Sequence, residues 1–184
     1  LEAHEPGGPR LPLARYIPTH HGRSPVEFAE LAQRAVGDNL LAVLKMDVDS
    51  LGAAFARTLD RGMDAVADLS RRLDAFFALE LQTELRSRDS PWRDIYTIFS
   101  GGDDLLMVAP WNVALDFAAH ARQLFHREFA SEGLTISAGI ALFKPKRPVA
   151  TAAAEADRAL EKAKEAHDQC AAFGQSWHWD EHHH

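Results

Sequence analysis

An α+β domain is the fold class the sequence predicts, and three observations predict it. The chain has 184 residues, 46% of them hydrophobic and 26% charged, enough for one apolar core but short of two. Apolar runs of strand length alternate with longer stretches of helical period. Two of those runs flank Ser100-Gly101-Gly102-Asp103-Asp104, whose glycines accept turn angles that a Cβ would forbid.

The elements follow in order. Residues 1–22 are rich in proline and glycine and read as a strap or linker, with a short extended piece at 13–17. Ser24-Pro25-Val26-Glu27 predicts a helix start: a cap, a proline at the first helical position and a capping-box glutamate. Phe28, Leu31, Ala32 and Ala35 share one face of that helix, and Gly37 ends it. The run 40–46 is apolar without alternation, as expected of a strand covered on both sides, and it ends in Asp47-Val48-Asp49. Helical patterns follow over 53–59 and, after Gly62, over 64–85, where Val66, Leu69, Leu73, Phe76, Phe77 and Leu81 face a core. Strands at 95–99 and 105–108 form the hairpin. A helix over 112–129, a strand over 134–143 and an alanine-rich helix over 149–166 come next. Gly139, inside the strand, marks a close backbone approach or a bulge. A last weak strand is expected at 170–173. Two helices over a mixed four-stranded sheet is the ferredoxin-like, or palm, arrangement, here with added helices. The domain is expected to span 23–174, leaving 175–184 as a tail.

Composition narrows the function. Twenty Lys plus Arg against 27 Asp plus Glu give a formal charge of -7, a poor basis for wrapping nucleic acid. The single Cys170 excludes an internal disulfide framework and a thiolate cluster, and reads as a buried strand residue. No apolar run approaches membrane-spanning length and no leader opens the chain, so the cytoplasm is the expected compartment. The final His182-His183-His184 reads as part of a purification tag, and an opening Leu1 fits an excised fragment. His120 and His126 read as solvated surface histidines, and His20-His21 as a loop pair. Trp177 and Trp179 are expected to cover a sheet edge or dock on another domain.

The carboxylates carry the chemistry. If the first strand lies beside the hairpin, Asp47 converges with Asp103 and Asp104, and clustered carboxylates repel unless protonated or shared with a cation. Hard oxygen donors without a Cys/His cluster suit Mg²⁺ or Mn²⁺. Two such ions favour phosphoryl or nucleotidyl transfer. Either motif alone has an ordinary reading, a strand-end Asp-Val-Asp or a good hairpin turn; their combination favours a site. Asp49 either joins the metal or caps the following helix at Ser50-Leu51.

Three blocks, Asp47-Val48-Asp49-Ser50-Leu51-Gly52, Phe99-Ser100-Gly101-Gly102-Asp103-Asp104-Leu105 and Leu134-Thr135-Ile136-Ser137-Ala138-Gly139-Ile140-Ala141, are supported by Lys144-Pro145-Lys146 and Ala163-Lys164. Together they resemble the second palm domain of the large subunit of type III CRISPR effector complexes, most closely the Csm-type, III-A, subunit, a relative of the GGDEF and nucleotidyl cyclase folds. The resemblance spans residues 11–174. It implies an enzyme that joins ATP into cyclic oligoadenylate second messengers for antiviral defence once the complex binds target RNA. It implies two Mg²⁺ or Mn²⁺ ions on Asp47, Asp103, Asp104 and the Val48 carbonyl, with Gly101 and Gly102 admitting the triphosphate. Ser100 and Ser137 would lie near base or ribose, and Lys164 would face phosphates, its competing reading being a solvated helix-end lysine; Lys162 is expected to face solvent. The implied partners are a first palm and the other domains of the subunit, further complex subunits with guide and target RNA, and in isolation a second copy of the palm. Two departures stand out. Ser50 replaces the family's usual Asn, keeping a capping oxygen, and Glu165-Ala166-His167-Asp168-Gln169 replaces a small-residue and lysine turn. A diguanylate-cyclase-like enzyme and a noncatalytic nucleotide-binding module are the alternatives.

Overall fold

The computed structural model describes residues 16–20, 24–87 and 89–179. The expected strap up to Arg15, His21 and the tail from Asp180 lie outside them. Two short strands, β1 (Thr19–His20) and β2 (Ser24–Pro25), pair antiparallel, with Val26 N–H donating to Pro18 O at 2.9 Å. This corrects the expected helix start. Helix α1 (Phe28–Gln33) begins after Glu27, with no side-chain cap. Pairing with β1 engages the Ser24–Pro25 backbone, and Val26, 2% exposed, anchors it in the core.

The rest of the chain builds one six-stranded sheet. Its strands are β3 (Leu41–Val48), β4 (Tyr96–Gly101), β5 (Asp104–Pro110), β6 (Ile136–Phe143), β7 (Gln169–Ala172) and β8 (Gln175–His178), in the order β4-β5-β3-β6-β7-β8. Between β3 and β4 run α2 (Leu51–Leu59), α3 (Met63–Ala75), a π-helical stretch (Phe76–Glu80) and α4 (Leu81–Arg86). Helix α5 (Trp111–Phe129) joins β5 to β6, and α6 (Val149–Lys164) joins β6 to β7. β3 is antiparallel to both β5 and β6, so the expected ferredoxin-like core of β3, β4, β5 and β6 is present.

β3 is buried on both faces, which is why its sequence is a continuous apolar run. Ala42, Leu44, Met46 and Val48 enter a core with Leu73, Phe76, Phe77, Phe117, Phe125 and Phe129 from α3, the π stretch and α5. The Phe125 and Phe129 rings lie 4.7 Å apart, and Phe76 meets Phe77 edge-on at 5.2 Å. Leu41 and Val43 point the other way, into a core with Leu31 and Ala32 of α1 and Ala152 and Ala156 of α6. Alternation along β3 therefore places Lys45 and Asp47 on the α6 side.

α6 packs at close range. A Cβ on Gly139 would lie 2.2 Å from Ala156 O and 2.3 Å from Leu160 N, so this glycine marks a backbone approach rather than a bulge. The stretch expected as one helix over 64–85 is interrupted by the π segment, where the buried Ser100 hydroxyl donates to Phe77 O at 2.6 Å. β8 lacks a strand signal in the sequence. Phe173 and Gly174, at φ 54° and 77°, fold it back as a half-exposed edge beside β7. Beyond it Trp179, 6% exposed, donates from Nε1 to Ile136 O at 3.0 Å.

Candidate active site

The expected acids meet at one end of the sheet. β3–β5 register sets Asp47 directly opposite Asp104, and Val48 N–H donates to Asp103 O at 3.2 Å. The strand end and the hairpin turn are thus joined through backbone. The turn is tight: Gly101 pairs with Asp104, and Gly102 takes φ 67°. Lys164, at the last turn of α6, donates from Nζ to Asp47 Oδ1 at 2.9 Å. Lys45, on the same face as Asp47, forms an ion pair with Asp157 of α6.

Crowding shows in the titration of these groups. Burial pushes the Asp47 carboxyl above the usual carboxylate range; the Lys164 hydrogen bond and charge oppose it, and Asp103 and Asp49 add repulsion. Burial raises Asp104 too, reinforced by Asp103 and Asp47 and offset by Lys45 and Lys164. Such a cluster gains from added positive charge. Its oxygens are donors of the kind hard divalent ions prefer, so the residues fit the magnesium or manganese their chemistry implies. Among the described residues no three carboxylate, imidazole or thiolate groups are already gathered into an ion cage. Lys164 occupies one oxygen of Asp47. Magnesium sites commonly take the balance of their ligands from water and substrate phosphates.

On the other side of the turn lies a cavity of about 270 Å³, lined by Leu51 and Phe55 of α2, Ser70, Arg71, Leu73 and Asp74 of α3, and Gly102 and Asp103. Asp74 Oδ1 accepts the Gly102 N–H at 3.0 Å and so holds the turn to α3. Asp74 lies outside the core-facing set Leu69, Leu73, Phe76 and Phe77 of α3 and the π stretch. Nothing local marks it, because its partner belongs to another element.

Two expected ligand contacts are placed differently. Ser100 is 1% exposed with its hydroxyl on Phe77 O, and Ser137 is 0% exposed with its Oγ accepting the Gln169 N–H at 3.4 Å. Both hydroxyls have internal partners and position the strands that carry the acids. The Ser50 hydroxyl makes no cap either. It meets His167 Nε2 at 3.2 Å, in a residue at φ 51°. Lys162 is exposed as expected and donates to Gly174 O at 2.9 Å. His120 is half-buried at the surface, where it stacks on Trp92 with centroids 5.3 Å apart and meets Glu84 at 3.1 Å. His126 is exposed, and His20 pairs with Glu30 at 2.9 Å. Cys170 is buried, its thiol pushed up to about 12 by desolvation.

A family model described as Cas10/Cmr2, second palm domain, matches residues 40–171, from the start of β3 through β7. The chain belongs to this family. The second palm is 35% identical over 155 residues to the CRISPR system single-strand-specific deoxyribonuclease Cas10/Csm1 (subtype III-A) of Mycobacterium tuberculosis, covering 76% of this chain and 19% of that protein. The protein of the same description from Enterococcus italicus is 36% identical over 130 residues, with 69% and 16% covered. A crystal structure of a Csm1–Csm4 cassette in complex with one ATP superposes with a TM-score of 0.83 at 25% identity, covering 91% of this chain and 27% of that one. The second palm therefore corresponds to under a fifth of the length of these curated relatives. The resemblance read from the three motif blocks is borne out, as is the palm fold. Among the described residues no helix is long and apolar enough to cross a membrane.

Proposed function

We propose that this second palm is a nucleotidyltransferase domain that joins ATP into cyclic oligoadenylates with 3′–5′ linkages, in the cytoplasm, when its type III CRISPR complex binds target RNA. The observation that carries this reading is the register that sets Asp47 against Asp104 with Lys164 between α6 and the acids. The family match and the ATP-bound relative support the substrate class. The deoxyribonuclease named for the relatives is said of chains of which this palm covers 19% and 16%.

Asp47, Asp103, Asp104 and the Val48 carbonyl would hold two divalent ions, which when bound lower the pKa of a ribose 3′-hydroxyl and neutralise triphosphate charge. The chain's own residues do the placing. Leu51, Phe55 and Leu73 give the cavity apolar walls for a base, while Ser70 and Asp74 give it polar groups. Gly101 and Gly102 bring no side chain to the turn, so phosphates can cross it from the cavity towards Lys164. Asp74 keeps that turn in place through the Gly102 N–H. Lys164 presents an ammonium to the phosphates in exchange for Asp47. The partners that complete the site are a first palm and the remaining complex subunits, or a second copy of this palm in isolation.

The test is product analysis of the full-length protein in its complex, with ATP and with GTP, in Mg²⁺ and Mn²⁺. Oligomers of AMP are expected from ATP. Cyclic diguanylate from GTP would assign the diguanylate-cyclase alternative, and nucleotide binding without turnover a noncatalytic module. Asp103→Ala should lower nucleotide joining roughly 100-fold or more while the protein stays folded; unchanged product from soluble D103A removes the acids from the mechanism.

A further inference from the structure

Asp49 lies two residues beyond Asp47 and is 3% exposed. Its Oδ2 accepts two hydrogen bonds, from Thr135 Oγ1 at 2.7 Å and from the Asp168 N–H at 2.9 Å. Its Oδ1 is buried with no partner among the described atoms. A buried carboxylate in that state is costly, which argues that its contacts have a use. Its own N–H donates to Thr135 O at 2.9 Å, so Asp49 is held rigidly at the end of β3.

The segment it grips is the α6–β7 turn. His167 and Asp168 both adopt left-handed backbone angles, φ 59° and 49°, as does Ser50 opposite at 51°. Three non-glycine residues in that region persist only when their surroundings over-determine them. Here they do: the Asp168 N–H is on Asp49, and the Asp168 carboxylate grips Arg122 of α5 with Nε to Oδ1 at 3.1 Å and Nη2 to Oδ2 at 2.6 Å. His167 Nε2 meets Ser50 Oγ at 3.2 Å. The turn is therefore tied to the catalytic end of β3 on one side and to α5 on the other.

Lys164 is the last residue of α6, immediately before that turn. A helix end frays unless something outside the helix holds it. We infer that Asp49 is a positioning residue. By latching the α6–β7 turn through the Asp168 N–H, it sets the Lys164 ammonium against Asp47 and the incoming triphosphate, without itself touching substrate. This deepens the nucleotidyltransferase reading and rests on it. It also accounts for the chain's own Glu165–Gln169 sequence, in which an Asp–Arg clasp and an Asp–amide bond hold the turn.

The experiment is a double-mutant cycle in the full-length protein, with Asp49→Ala, Asp49→Asn, Asp168→Ala, Lys164→Ala and the pair D49A/K164A. D49A and K164A should each raise the KM for ATP roughly ten-fold with kcat changed less, and the pair should raise it no further than K164A alone. D49N keeps an acceptor oxygen and should recover most of the loss; D168A, which keeps the backbone amide but removes the carboxylate that bonds Arg122, should fall between. If the two losses multiply in the pair, or if D49A leaves KM unchanged, Asp49 does not act through Lys164. Hydrogen exchange at the Asp168 amide gives a readout independent of turnover. D49A should speed it at least ten-fold while D49N slows that gain, and an unchanged rate overturns the latch. Where D49A fails to fold, D49N and D168A carry both readouts. Absence of ATP turnover in the wild type, with exchange responding as expected, would remove the nucleotidyltransferase reading and leave the latch standing.

Discussion

Asp47 and Asp104 face each other with their carboxyls held above the ordinary range, first by burial and then by neighbouring carboxylates, Asp103 and Asp49 for Asp47 and Asp103 and Asp47 for Asp104. A folded value above the unfolded one means that the native chain binds more protons between the two values. Their contribution to stability is then greatest below the ordinary value of 3.8 and is lost as pH rises through the raised one. At neutral pH the metal-free acids thus weaken the fold. Asp104→Asn should stabilise the metal-free protein at pH 7 by roughly 0.5–2 kcal/mol, as removal of active-site strain commonly does. The gain should vanish below about pH 4. Urea midpoints measured across that range check it, and a gain that persists in acid would place its origin elsewhere. Ser100 and Ser137 turn their hydroxyls to internal partners, Phe77 O and the Gln169 N–H. Strand position can be read from alternation, but whether a small hydroxyl turns to a ligand or to a neighbouring carbonyl depends on what packs over it.

Helix α6 depends on the absence of a side chain at Gly139. Gly139→Ala would force a methyl to 2.2 Å from Ala156 O and 2.3 Å from Leu160 N, both backbone atoms that cannot rotate away. The helix must then lift from β6, at a cost of roughly 3 kcal/mol or more. Because Lys164 ends that helix, G139A should also weaken ATP binding, which calorimetry on the folded fraction would show. Retained stability would mean that α6 adapts by sliding. The long helix before β4 teaches a related point. Its apolar positions were readable as a single helix over 64–85, yet the Ser100–Phe77 bond accompanies a π segment at Phe76–Glu80. At Ser24-Pro25 the local signals for a cap and a first-turn proline were overridden by pairing with Thr19–His20 and by the burial of Val26.

The acids, the cavity and Lys164 come from β3, the hairpin, α2, α3 and α6, so ligand binding should stabilise the fold rather than one loop. ATP at 100 times its dissociation constant, with Mg²⁺, should add about 2.7 kcal/mol, a melting rise of roughly 5–10 °C for a domain of this size. D103A should lose most of that rise, and an equal rise in D103A would separate nucleotide binding from the acidic turn. The positions of the central strands, the hairpin, the strand-end acid and the close approach at Gly139 were legible in contiguous residues, because backbone preferences and hydrophobic periodicity act over a few positions. So was the family, through three motif blocks that keep their order. The meeting of Lys164 with Asp47, 117 positions apart, was not, nor were the hold of Asp74 on Gly102 and the inward turn of Ser100 and Ser137. Those depend on β3 being sandwiched between two helical layers, a packing outcome in which register and depth, rather than any local residue pattern, decide which polar groups find one another.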